Sequence, residues 1–265
     1  MIYSIKKNDI PIRYDDAGKG EPLVFLHGHL ESLDIWVCFT KFFESKYRII
    51  CIDLPGHGGT GIFGPVSGMD VMAGVVKKVL VHLGIEKAVI FGHSMGGYSA
   101  LAALELYPEI FKAISLFHSH THADSYEVGK KRNREIKIIE KGLKRLLVIQ
   151  NIPNMYATDN LEKFQDAVRF SKQIAHGLSD EGVIAAIRGL KSRPDRSSIL
   201  EQAKVPCLNI IGRKDNYIPF EEVSLTTILP IGSSRLILEN SGHMGFIEEP
   251  EEARKGIFQF LNKIG

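Results

Sequence analysis

The run Val89-Ile90-Phe91-Gly92-His93-Ser94-Met95-Gly96-Gly97 constrains this chain more than any other stretch. Lys87 to Phe91 reads as a short buried strand, and Tyr98 to Tyr107 as a helix that stops before Pro108. Between them the chain must reverse within a few residues, and side chains at Gly92 or Gly96 would collide with neighbouring backbone. One serine stands at the apex of that turn. Its hydroxyl is exposed beside the N–H groups of a helix start, where a developing oxyanion is stabilised. Gly-x-Ser-x-Gly by itself is a weak pattern, and the strand–turn–helix context is what makes Ser94 a candidate nucleophile.

The surrounding chain repeats the strand–helix theme. Residues 2–6 and 11–16 alternate polar and apolar around Asn8-Asp9, which predicts a hairpin. Apolar runs follow at Pro22–His27, Tyr47–Asp53, Lys87–Phe91 and Lys112–His118, and strands separated by helices imply a mostly parallel sheet with helices on both faces. Val71, Val75, Val79 and Leu83 mark the expected buried face of a helix over Met69–Leu83. Residues 123–200 then carry only helical patterns, at Glu127–Lys141, Leu143–Gln150, Leu161–His176 and Asp180–Leu190. Strand–helix alternation resumes at Pro206–Gly212. The expected architecture is a single α/β core domain, residues 1–118 and 201–265, with a helical cap of residues 119–200 inserted at the sheet edge where such folds bind ligands.

Composition narrows the function classes. With 265 residues, 44% hydrophobic and 24% charged, the chain can bury a large core. A net charge of +2 gives no general attraction to nucleic acid or to an anionic membrane. Lys130-Lys131-Arg132-Asn133-Arg134 reads as the solvated face of a helix. Cys38, Cys51 and Cys207 lack metal spacing, and the latter two sit in apolar runs as expected for buried free thiols. No apolar stretch near the N-terminus is long enough for a signal peptide, and none elsewhere could span a bilayer. A reducing cytoplasm is the expected compartment.

A serine hydroxyl needs a base, and the base needs an acid to orient it. Of ten histidines, His243 in Asn240-Ser241-Gly242-His243 follows the last strand-like run and so lies at the same sheet edge as Ser94. Asp215, in Gly212-Arg213-Lys214-Asp215, follows the preceding strand and shares that edge; a plain turn aspartate is its competing reading, and Asp124 is the fallback acid. After Phe25-Leu26-His27-Gly28 the chain turns tightly, so the backbone N–H of His29 (or Leu30) and that of Met95 are the candidate oxyanion hole, with His27 bracing the loop.

His27-Gly28, Asp53-Leu54-Pro55-Gly56-His57-Gly58, Gly92-His93-Ser94-Met95-Gly96-Gly97, Asp215 and Gly242-His243, in this order, resemble the α/β-hydrolase superfamily over about residues 10–263. The resemblance implies Ser94 as nucleophile, His243 as base, Asp215 as its acid, and a structural turn at Asp53–Gly58. Gly59-Thr60 departs from it, since the family usually places a serine there. It also implies a cap, no cofactor and no metal. The expected activity is hydrolysis of a small carboxylic ester through an acyl-enzyme. Lactonase, carbon–carbon bond hydrolase, thioesterase and cofactor-free perhydrolase chemistry use the same triad, and a non-enzymatic ligand receptor is the reading from another class. Dehalogenase and epoxide hydrolase are disfavoured because they need an aspartate where Ser94 stands.

The expected partner is a small ester-like molecule, and the oligomeric state is not legible. Met155, Tyr156, Phe164, Phe170 and Val183–Leu190 supply candidate apolar pocket residues, implying a modest apolar substrate. His118-Ser119-His120-Thr121-His122 would place three imidazoles on one strand face, a spacing that can hold zinc but reads more simply as a metal-free cluster, with His118 a candidate pocket residue near Ser94.

Overall fold

The structure, a computed structural model, describes residues 2–265. The hairpin forms as β1 (Ile2–Lys7) and β2 (Ile10–Gly18), with Asn8 and Asp9 both at positive φ in its turn. Then come β3 (Glu21–Leu26), a short α1 (Val37–Thr40), β4 (Tyr47–Ile52), α2 (Met69–His82), β5 (Ala88–His93), α3 (Met95–Leu106) and β6 (Phe111–Phe117). Five helices without a strand follow: α4 (Tyr126–Glu140), α5 (Lys144–Asn154), α6 (Gln165–Gly177), α7 (Asp180–Lys191) and α8 (Ser197–Glu201). The chain closes with β7 (Cys207–Gly212), α9 (Phe220–Thr226), β8 (Ser234–Leu238), α10 (Gly245–Glu248) and α11 (Pro250–Ile264).

One eight-stranded sheet runs in the order β1-β2-β4-β3-β5-β6-β7-β8. Only β1 and β2 are antiparallel to their neighbours; β4 through β8 with β3 pair in parallel. All residues of β5 and β7 are buried, as a sheet covered on both faces requires. Trp36, Phe39, Phe43, Phe117 and Phe246 fill one face, and α2 and α3 cover the other. Register then decides where the loops emerge. Leu26 pairs with Gly92, His93 with Phe117, Phe117 with Ile210, and Gly212 with Leu238. The carboxyl ends of β3, β5, β6, β7 and β8 therefore finish at one edge, and the loops after them meet there.

Two local expectations shift. The buried face of α2 is Met72, Val75, Val76, Val79 and Leu80, with Val71 and Leu83 only half-buried, because the helix lies flat on the sheet and covers a stripe wider than one row. The three histidines after β6 share no strand face. The strand ends at Phe117, and His118 has φ +46°, which turns the chain before His120 and His122. Among the described residues no helix is long and apolar enough to cross a membrane.

Candidate active site

Ser94 joins β5 directly to α3 with φ +49° and ψ −113°. Such a backbone costs about 1–3 kcal/mol and persists only where its surroundings hold it. Here its N–H donates to the Phe117 carbonyl (3.0 Å), and its carbonyl accepts from Gly97 N–H and Ser119 Oγ (2.9 Å each). A Cβ at Gly92 would run into the Gly96 carbonyl, and one at Gly96 into that of Leu26. Since these obstacles are backbone, they cannot rotate aside. Gly96→Ala is expected to cost about 1–3 kcal/mol, seen in thermal denaturation as a drop of about 2–12 °C. An unchanged midpoint would show that α3 can slide away from β3.

His243 follows β8, and its N–H donates to the Met155 carbonyl at the end of α5 (2.7 Å). Its ring is buried, with Nδ1 donating to Asp215 Oδ2 at 2.7 Å. The other Asp215 oxygen accepts the amides of Tyr217 (2.8 Å) and Ile218 (2.9 Å), so this carboxylate is both the turn aspartate and the partner of His243. Burial pushes the Asp215 carboxyl up, but facing His243 and His118 outweigh it and hold it below the usual range. Burial likewise disfavours a charged His243, and Asp215 overrides it, raising the imidazole above its ordinary 6.5.

Ser94, Met95, His29, Leu30 and His243 line one cavity of about 230 Å³. Met95 is the first residue of α3, so its N–H has no acceptor within the helix. The His29 N–H lies in the loop after β3, where Leu30 makes the reversal at φ +63°. The imidazole of His27 braces the start of that loop, its Nε2 accepting from Leu54 N–H at 2.9 Å.

A second buried acid–imidazole pair, not anticipated, adjoins the His243–Asp215 pair, the His93 and His243 rings being 4.9 Å apart. Gly28 N–H donates to Glu31 Oε2 (2.6 Å), which also faces His93 Nδ1 (2.9 Å). His93 Nε2 faces the carbonyl of His243 (2.9 Å). Both ring nitrogens of His93 thus meet oxygens of neighbouring loops, one on the Glu31 side chain and one on the His243 backbone. The pair ties together the loops that carry His29, Ser94 and His243. Burial alone would raise the Glu31 carboxyl; His93 and the Gly28 amide bring it below the usual value. Glu31→Gln disturbs the buried oxygen shared by the Gly28 amide and His93 and is expected to cost about 1–3 kcal/mol in urea unfolding. A loss within about 0.5 kcal/mol would mean the pair does nothing for the fold. Similarly unforeseen is Glu248, whose carboxylate gathers the amides of Gly242 and Ala157 (2.9 Å each) and so joins the His243 loop to the helical segment. Neither acid stands in a motif; each is visible only once its partner loops meet.

Several expectations need correction. His118 does not line the cavity: its ring is buried 3.5 Å from Asp215, pinned between the amides of Gly212 and Gly245 (3.1 Å each). His120 and His122 face elsewhere, towards Tyr98 and Asp195, so the three rings do not converge on a metal position. Asp124, the fallback acid, pairs with Arg132 and Arg193 and makes no contact with His243. Of the apolar pocket candidates, Met155 and Leu190 line the cavity, whereas Tyr156 is fully buried with its hydroxyl on Ser171, and Phe164 and Phe170 lie outside. Charged groups take their place. Arg132, read as part of a solvated face, lines the cavity with Asp124, Glu135 and Arg193, because α4 turns that one position of its basic run inward.

The family model for the alpha/beta hydrolase fold matches residues 21–250. The chain is 30% identical to a 2-hydroxy-6-oxononadienedioate/2-hydroxy-6-oxononatrienedioate hydrolase of Paraburkholderia phymatum, over 96% of this chain and 92% of that protein. It is 26% identical to a monoacylglycerol lipase of Mus musculus, over 93% and 77% of the two chains. Among solved structures, a thermophilic esterase from Thermogutta terrifontis with malate bound superposes with a TM-score of 0.93 at 26% identity, covering 100% of this chain and 99% of that one. With the strained serine turn, the His243–Asp215 pair and the parallel sheet in register beneath them, the chain belongs to the α/β-hydrolase family.

Proposed function

We propose that the protein is a serine hydrolase that cleaves a small carboxylic ester through a Ser94 acyl-enzyme. The observation that carries this reading is convergence. Ser94, the Asp215-paired His243, Met95 and His29 line the same cavity. Asp215 occupies His243 Nδ1, leaving Nε2 to take the Ser94 proton as Oγ attacks the carbonyl carbon. The amides of Met95 and His29 receive the oxyanion. Collapse of the tetrahedral intermediate expels the alcohol, protonated by His243. Water, deprotonated by the same imidazole, then releases the acid and restores Ser94. Helices α4–α8 act as a cap over the site in this reading, tied to the His243 loop by the Met155 carbonyl on His243 N–H and by Ala157 N–H on Glu248. The substrate is a small molecule, in keeping with the cavity volume.

The direction of the His243 shift makes the reaction pH-dependent. The base works only when neutral, so kcat/KM should fall as pH drops through its raised value, with an acid limb above 6.5. A limb below that value would show that Asp215 does not govern the imidazole. The reading itself is tested by fluorophosphonate labelling with peptide mass spectrometry beside a p-nitrophenyl ester series. Label on Ser94 with ester turnover is expected. Label without turnover would favour the second reading, carbon–carbon bond hydrolysis, which rests on similarity to the hydrolase of Paraburkholderia phymatum. Absence of label would overturn the nucleophile and revive a receptor.

A further inference from the structure

Two side chains on the cavity wall present hydrogen-bond donors that nothing among the described residues accepts. The first is Tyr98, one helical turn beyond Ser94 on α3. His122 N–H donates to His120 Nδ1 (3.1 Å), so the His120 proton resides on Nε2, which donates to Tyr98 Oη (3.0 Å). Burial pushes His120 down to about 3, which keeps this tautomer neutral. Tyr98 Oη is therefore an acceptor towards His120, and its own proton has no partner among the described residues. The Arg193 guanidinium stacks 4.1 Å over the Tyr98 ring and holds it in place. Arg193 is itself fixed by the His122 carbonyl (3.1 Å), the Leu190 carbonyl (2.9 Å) and Asp124.

The second donor is Arg132. Its Nε donates to the other oxygen of Asp124 (3.2 Å), which leaves the Nη edge. Nη1 lies 3.7 Å from Glu135 Oε2, beyond hydrogen-bond reach, and Nη2 has no partner among the described residues. One buried carboxylate thus orients two guanidinium groups. Asp124 and Glu135 balance Arg132 and Arg193 in number of charges. Glu135 Oε2, buried without a hydrogen-bond partner, faces Arg132 Nη1, so the donors left to a ligand are Arg132 Nη2 and the Tyr98 phenol. The remaining acid of the cavity, Glu222, is exposed, so water screens it. A phenol O–H and a guanidinium edge in the same cavity match a planar group with two acceptor oxygens.

We propose that Tyr98 and Arg132 form a subsite for a second, unreacting carboxylate on the substrate of Ser94, so that the preferred substrates are short half-esters of dicarboxylic acids. The proposal rests on the acyl-transfer reading above for the reaction, but not for binding. Tyr98 follows Ser94 by one helical turn on α3, and the shared cavity of about 230 Å³ limits the substrate to a short one. The motif from His118 to His122 thereby acquires a role: His122 sets the tautomer of His120, and His120 aims Tyr98.

Calorimetric binding of glutarate against neutral glutaramide tests the subsite without requiring turnover. The expected result is at least about tenfold tighter binding of glutarate by the unmodified protein. Arg132→Gln should abolish that preference, Arg132→Lys should restore part of it, and Tyr98→Phe should weaken it. Kinetically, monomethyl glutarate should exceed methyl pentanoate in kcat/KM by a similar factor. Equal binding of glutarate and glutaramide by the unmodified protein overturns the subsite, whatever the variants do. So does a preference that survives Arg132→Gln. Neutral esters cleaved with no advantage for half-esters would remove the subsite and leave the esterase reading standing. Glutarate bound through Arg132 with no ester cleaved would do the reverse.

Discussion

Ser94→Ala is expected to lower kcat/KM for any cleaved ester by about four to six orders of magnitude while leaving the fold intact. The second half of that statement is as much a structural claim as the first. No protein group hydrogen-bonds the Ser94 hydroxyl among the described residues, so removing Oγ leaves no orphaned partner. Alanine retains the same Cβ at φ +49°, so the backbone strain does not change. What disappears is the hydroxyl proposed as the nucleophile. A residual rate above that in water should remain if the amides of Met95 and His29 form the proposed oxyanion hole. The measurement is single-turnover ester hydrolysis with a parallel thermal midpoint. Turnover within about tenfold of the parent, at an unchanged midpoint, would sink the mechanism.

Asp215→Asn should cost about four orders of magnitude, for a different reason. The carboxamide can still present an oxygen to the amides of Tyr217 and Ile218, preserving the turn. Its NH2 group then faces His243 Nδ1, which must become an acceptor. The ring proton moves to Nε2, and the base can no longer receive the Ser94 proton. The charge that raises His243 is also lost, leaving burial to lower it. The acid limb of the pH profile should accordingly shift downwards in whatever activity survives. A merely structural defect would reduce the rate without moving that limb. If Asp124→Asn proved the more damaging change, the acid would be misassigned.

Much of this was legible in the chain because local chemistry announces itself. The turn around Ser94 needs glycines at Gly92 and Gly96, and a strand-then-helix context, both readable within about twenty residues. His243 and Asp215 were legible by order, since each follows a strand-like run and the loops after parallel strands emerge at one edge. The all-helical block between β6 and β7 was visible as an absence of strand patterns. Four of its five helices were legible, and the short α8 was not. By contrast, the boundary of β6 at Phe117 depends on the +46° φ of His118, which no propensity encodes. Reading His118, His120 and His122 as one strand face therefore failed at its first residue.

From the sequence by itself, periodicity determined an α/β core with a helical insertion. The order of the motifs, through the family they resemble, implied the α/β-hydrolase architecture and the candidate triad. Which way a side chain faces between two packed helices is a long-range matter, and only the tertiary structure decided it. It turned Arg132 out of a basic run and into the cavity, sent Asp124 to two arginines, and buried Tyr156. It also brought Glu31 within 2.9 Å of His93, sixty-two positions along the chain, to join the three loops of the site. The physical reason is that a buried charge survives only where a partner meets it, and that partner is chosen by packing.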